Sequence, residues 1–259
     1  MITYKLLNKY NEIAHFCTSR EGGVSVGNYA SFNLSPFSGD HLLCFQGNQQ
    51  ILCDKLGIEP GKLVIPFQTH GIEIREIDEA YFLLTANEQA ACLDGVDAIF
   101  TRLRGVCVGV TTADCVPLLF FDPKKQVVAA AHAGWRGTCG RIAERTILAL
   151  VEKYQCDAAG IRVTIGPSIS AAVYEVGEEV VMSFENNGFD MPEIIERRNG
   201  SIFLDLWKAN RQSLEKAGVL AQHIEVSGLC TFTEHERFFS ARRLGIKSGR
   251  MLSGIMLRN

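Results

Sequence analysis

Residues 115–132, CVPLLFFDPKKQVVAAAH, hold two apolar runs, PLLFF (117–121) and QVVAAAH (126–132), on either side of the polar Asp122-Pro123-Lys124-Lys125. Apolar runs of this length bounded by turn residues read as strands, and proline at the second position of such a turn suits its fixed φ. The stretch is therefore expected to be a β-hairpin. If Asp122 opposes Lys125, the ladder brings Cys115 opposite His132 on one sheet face, where opposed Cβ atoms stand about 4.5–5.5 Å apart. At that separation the thiol and the imidazole can share a metal ion or a hydrogen bond. Pro117 cannot donate to a ladder and marks where a bulge or an edge would shift the register.

Upstream of the hairpin, LVIPF (63–67), IEIREI (72–77), DAIFT (97–101) and VCVGVTT (106–112) read as further strands. RIAERTILALVEKY (141–154) sets Ile142, Ala143, Ile147, Leu150 and Val151 on one helical face. Two more helices are expected over 175–188 and 205–218, with Gly188 and Gly218 placed as C-terminal caps. Strands and helices do not alternate regularly, which favours an α+β fold over a doubly wound sheet.

With 259 residues, 47% hydrophobic and 21% charged, the chain can bury a large core, and no linker or like-charge block divides it. One domain over 1–259 is expected. A formal charge of −3 gives no general attraction to nucleic acid or to an anionic membrane, so a small polar or charged ligand is the expected partner. MITYKLLNKYNEIAHF lacks the apolar run of a signal peptide, and no later run is long enough to span a bilayer, which points to the cytoplasm. The nine cysteines, odd in number and without a C-x-x-C pair, are expected to be reduced.

His70, in the polar break QTHG (68–71), joins Cys115 and His132 as a third candidate. An N, S, N set suits zinc, and three protein ligands with an open fourth position is the habit of catalytic zinc sites. Spacing alone equally allows a satisfied strand-end His132, a core Cys115 and a surface His70. In AHAGWRGT (131–138) the glycines permit a turn at the strand end and close approach to a ligand, and Arg136 can face an anion. Trp135 either stacks on a ligand or fills the core, and Thr138 is placed to cap the following helix. Arg20, Arg242, Arg243 and Arg250 are further candidate phosphate forks, and Ser25 with Gly22-Gly23 offers donors to an anion. Asp114 is the candidate proton carrier, provided the chain bends there, since a regular strand would turn it away from the Cys115 face. It could equally cap a turn or pair with an arginine.

QTHG, TTADCVPLLFFD (111–122) and AHAGWRGT together resemble the polyphenol-oxidase or laccase-domain family, whose bacterial members are described as purine nucleoside phosphorylases. TSREGGVS (18–25), NYASFNL (28–34), IGPSIS with YEV (165–176), CT (230–231) and FSARR with GR (239–250) extend the match almost end to end. The resemblance implies a four-layer α/β/β/α sandwich of two mixed β-sheets with outer helices, like that of a bacterial deamidating toxin. It implies zinc on His70, Cys115 and His132. It also implies phosphorolysis of adenosine, inosine and S-methyl-5'-thioadenosine to a base and a ribose 1-phosphate, with adenosine deaminase activity. The oligomeric state is left open between monomer and homodimer.

The deaminase motifs H-x-E and P-C-x-x-C are absent, which leaves Asp114 to carry protons and Arg136 to meet the anion. Two alternatives stand beside this reading. In a cysteine hydrolase or deamidase, Cys115 is the nucleophile and His132 its base, and His70 discriminates because only the metal site needs it. A copper-dependent polyphenol oxidase is suggested by the family name, yet six histidines without an H-x-H pair are few for a multicopper cluster.

Overall fold

A computed structural model describes residues 1–259. In chain order its strands are β1 (Ile13–Cys17), β2 (Leu63–Val64), β3 (Glu73–Glu76), β4 (Val96–Thr101), β5 (Cys107–Thr112), β6 (Val116–Asp122), β7 (Val127–Ala133), β8 (Arg162–Ile165), β9 (Glu175–Val176), β10 (Ile195–Arg198), β11 (Ser201–Leu204), β12 (Ile224–Val226) and β13 (Met251–Leu257). The helices are α1 (Leu42–Leu56), α2 (Ala86–Leu93), α3 (Trp135–Cys139), α4 (Ile142–Tyr154), α5 (Glu178–Asn186), α6 (Met191–Ile194), α7 (Leu206–Lys216) and α8 (Ala241–Leu244).

The hairpin forms as β6 and β7, with a longer loop than expected. Asp122 pairs with Val127, and its carboxylate accepts the N–H groups of Lys124 (2.8 Å) and Lys125 (3.0 Å) while Gln126 turns through φ 52°. That capped loop moves the register by two residues, so His132 faces Pro117 and the ladder closes at Val116–Ala133, one residue short of Cys115. The expected Cys115–His132 pairing is corrected accordingly. An even shift leaves every side chain on its own face.

Alternation along the hairpin builds two cores at once. Val116, Leu118 and Phe120, with Val127, Ala129, Ala131 and Ala133, point to the helices, and Leu119, Phe121, Val128 and Ala130 point to a second sheet. Fully burying a side chain such as Phe120 or Phe121 contributes about 1.5–3 kcal/mol. The six-stranded sheet runs β12-β8-β6-β7-β4-β3, and the four-stranded sheet facing it runs β1-β13-β5-β2. Both mix parallel and antiparallel pairs. Helix α4 covers the larger sheet with Ile142, Ala143, Ile147 and Leu150, assisted by α5 and α7. Leu52 and Cys53 of α1 pack with Phe16, Leu252 and Met256 on the outer side of the smaller sheet. The layers are thus α/β/β/α, with a third sheet, β10-β11-β9, that the sequence did not announce.

The helix expected over 175–188 starts later, at Glu178, because Glu175–Val176 pair with β11. Gly188 and Gly218 stand just past α5 and α7 at positive φ, as helix-stopping glycines do. Thr138 does not cap α4. It lies inside α3, and Arg141 precedes α4 at φ 60°. No helix is long and apolar enough to cross a membrane, and all nine cysteines are free.

Candidate metal centre and substrate cavity

The chain passes from the smaller sheet to the larger one twice at the same edge of the sandwich, between β2 and β3 and between β5 and β6. The first crossing carries Phe67, Gln68 and His70, and the second carries Asp114 and Cys115. Gln68 ties the two together, donating to the Thr111 carbonyl (2.9 Å) and accepting the Thr111 N–H (2.8 Å). His132 arrives at the same edge as the penultimate residue of β7.

The Nδ1/Nε2 atoms of His70 and His132 and the Sγ of Cys115 lie within 4.8 Å of one another, the only such cluster of three His, Cys, Asp or Glu side chains in the chain. The two rings meet edge to face at 4.7 Å. Gly134 packs against both loop ligands, since a Cβ there would stand 2.8 Å from His70 Cδ2 and 3.1 Å from the Cys115 sulfur. The bend on which Asp114's place beside Cys115 depends is present, at φ 85°.

Asp97, at the start of β4, is wholly buried and sits one step beyond the Ala98–Ala131 pair, beside His132. Its Oδ1 is 2.7 Å from His132 Nδ1, which leaves Nε2 as the ring nitrogen for the site. The carboxylate also accepts the N–H groups of Thr69 (3.2 Å), His70 (3.1 Å) and Gly71 (2.7 Å), holding His70 at φ 63°. Burial raises its pKa, but the hydrogen bond and charge of His132, with the Gly71 and Thr69 amides, hold it below the usual carboxylate range. Sequence reading missed Asp97. Its signal was an acid heading the apolar run DAIFT, where a carboxylate entering a sheet core needs partners.

Burial pushes the Cys115 thiol up, yet the charge and hydrogen bonds of His132 and His70 bring it down to about 6 without a metal ion. His132 is pushed down by burial and raised to about 9 by Cys115 and Asp97. The directions agree on a thiolate beside an imidazolium. A donor set that sheds its thiol proton near neutrality, with Gly134 leaving room for the ligand side chains, fits a soft divalent ion such as zinc.

The trio opens on a cavity of about 680 Å³. Phe37 and Phe67 stand in its wall, edge to face at 4.8 Å and half exposed, and Trp135, Tyr174, Arg242, Arg250 and Asp114 line the remainder. A depression of about 720 Å³ between Tyr81, Phe100 and Lys153 is slightly larger but holds no donor trio. Asp114 is 8% exposed, with Oδ1 accepting from Thr231 Oγ1 (2.7 Å) and Oδ2 from the Arg242 N–H (2.6 Å). Arg250 donates to the carbonyls of Ile246 (2.9 Å), Ser248 (2.8 Å) and Gly249 (3.0 Å), and burial pulls its pKa down. Tyr174 is pushed up to about 12, by burial first and then by Cys115.

Other expected anion ligands lie elsewhere. Arg136 is exposed and stacks on Trp135 at 4.3 Å, outside the cavity wall. Arg243 stacks on Phe232 at 5.2 Å. Arg20 donates to the carbonyls of Ala30 and His235, and Ser25 donates to Asp40 (2.6 Å) and accepts from Asn48 (2.9 Å). The amides of Gly23 and Val24 are likewise taken, by Ser31 and Asn48.

The chain is 46% identical over 259 residues to a purine nucleoside phosphorylase of Bacteroides thetaiotaomicron, an alignment covering 99% of this chain and 96% of the relative. It is 44% identical over 246 residues to adenosine deaminase RL5 of an unknown prokaryotic organism, covering 93% and 92%. The crystal structure of YlmD from Geobacillus stearothermophilus superposes with a TM-score of 0.90 at 34% identity, over 96% of this chain and 93% of that one. The family model described as multi-copper polyphenol oxidoreductase laccase matches residues 14–258, and the chain belongs to that laccase-like family.

Proposed function

We propose that this chain is a zinc-dependent purine nucleoside phosphorylase that splits adenosine, inosine and S-methyl-5'-thioadenosine with phosphate and also deaminates adenosine. In this reading it works in the cytoplasm as one domain over 1–259, as a monomer or homodimer. The observation that carries it is the trio His70, Cys115 and His132 opening on a cavity whose walls hold Arg242 and Arg250, neither of them in an ion pair. A cation kept near a cavity without a carboxylate partner suits an anionic substrate. The activities for which the two relatives are named supply the substrate class.

His70, Cys115 and His132 would hold zinc, which when bound supplies Lewis acidity and draws the pKa of water towards neutrality. Arg242 and Arg250 are assigned to phosphate because both line the cavity, which Arg20, Ser25, Arg136 and Arg243 do not. Phe37 and Phe67 form an aromatic corner to take the purine. In phosphorolysis a phosphate oxygen bonds to C1′ as the bond from C1′ to the purine nitrogen breaks, and the departing base must gain a proton. Asp114 is assigned to that relay because it lines the cavity and each of its oxygens, meeting one donor, keeps a second acceptor site, which can take a proton from dihydrogen phosphate and pass it to the base.

Cys115, His132 and Asp97 also have the order of a thiol hydrolase, nucleophile to base to orienting carboxylate. Incubation of metal-analysed protein with inosine and adenosine, with and without phosphate, separates the readings. Hypoxanthine and ribose 1-phosphate should appear from inosine only with phosphate, and inosine from adenosine without it. Failure to release base under any metal loading sinks the phosphorylase reading. Activity that survives zinc removal but not thiol alkylation favours the hydrolase. Copper-dependent phenol oxidation needs a larger imidazole cluster than this trio.

A further inference from the structure

We propose that Asp97 is the positioning residue of the metal centre, a single carboxylate that sets both histidine ligands. The inference rests on the metal reading of the trio. A carboxylate has about four lone-pair sites, and Asp97 fills them: Oδ1 with His132 Nδ1 and the His70 amide, Oδ2 with the amides of Thr69 and Gly71. Asp97 is wholly buried, so these four protein donors meet it away from bulk solvent.

Two different ligands are controlled from this one point. By accepting the hydrogen bond of the Nδ1–H group, Asp97 fixes the tautomer and ring orientation of His132 and presents the Nε2 lone pair to the site. By gathering three successive amides, it holds the 69–71 turn, where His70 sits in the left-handed region. Three converging N–H groups form a nest that an anion satisfies and a neutral amide does not. The two ligand-bearing segments belong to different elements, the β2–β3 crossing and β7, and Asp97 on β4 lies between them.

Asp97→Asn keeps the shape but removes acceptor capacity and turns an NH2 towards groups that are already donors. The test is zinc binding by the metal-free protein in competition with a chromophoric chelator, with folding followed by circular dichroism. The expected result is a zinc dissociation constant about 10–100-fold weaker in a folded variant. Loss must persist when Asp97→Asn is combined with His132→Ala, through the His70 turn, and when it is combined with His70→Ala, through the His132 ring. A purely structural role would lower thermal stability and leave zinc affinity unmoved. Unchanged affinity in folded Asp97→Asn overturns the inference while wild-type zinc binding keeps the metal reading. An effect that vanishes in the His132→Ala background overturns control of both ligands. Wild-type protein that binds no zinc removes the reading and the inference together. If Asp97→Asn does not fold, ¹⁵N NMR of the zinc-loaded wild type decides: His132 should be metal-bound through Nε2 with its proton on Nδ1, and metal on Nδ1 overturns the proposal.

Discussion

Gly134→Ala adds one methyl group against two of the three proposed metal ligands. The backbone there has φ −65° and ψ 172°, open to any residue, so the change carries no conformational strain. The penalty is steric, because the new Cβ would stand 2.8 Å from His70 Cδ2 and 3.1 Å from the Cys115 sulfur. Both atoms belong to proposed metal ligands, and one contact is shorter than carbon atoms tolerate. In the metal-free protein the ring and thiol can swing aside, and zinc binding must bring them back against the methyl. Overpacking of this kind costs about 1–3 kcal/mol. Charged to zinc binding, that is a roughly 5–150-fold weaker dissociation constant. Chelator competition on wild type and Gly134→Ala, with matching far-UV spectra, measures it. A variant within twofold of wild type would refute the claim that Gly134 exists to seat the two ligands.

Alkylation of Cys115 in the metal-free protein should follow its thiolate. With the thiol lowered to about 6, the rate falls as pH drops through 6 and levels off above about 7.5, and bound zinc suppresses it; a midpoint near the ordinary thiol value contradicts the ion pair with His132. Phe67→Ala should raise KM for inosine about 10-fold, as loss of a base stack does, with zinc affinity unchanged; equal KM removes the aromatic corner from the purine site. Arg250→Gln should raise KM for phosphate more than KM for inosine, and a change confined to inosine would reassign the guanidinium.

The hairpin was legible because its two strands, buried on both faces, read as unbroken apolar runs with a polar turn between them, while the pairing of two mixed sheets was legible only through the family motifs. The register was misread by two residues because the Asp122 carboxylate caps a four-residue loop that a proline turn does not announce. Strand β13 went unnoticed although it lies inside the smaller sheet. Its Ser253 and Gly254 look like a breaker, yet the ring of Phe16 occupies the space a Gly254 side chain would need. Helix α1 lacks a clean apolar face and buries only Asn48, Leu52 and Cys53, so no periodicity marks it. Within the site, the three donors were traceable to strand ends and to family motifs. Asp97 was not, because its partners are three backbone amides and an imidazole that meet it only after folding.

Stepwise addition of zinc to metal-free protein, with hypoxanthine release from inosine followed at each step in phosphate buffer, decides whether the trio is a catalytic zinc site. Activity should rise linearly to one zinc per chain and then stop, and Cys115→Ala, folded, should neither retain stoichiometric zinc nor release base. Full phosphorolysis without zinc, or undiminished zinc and turnover in Cys115→Ala, would contradict a catalytic centre built on His70, Cys115 and His132.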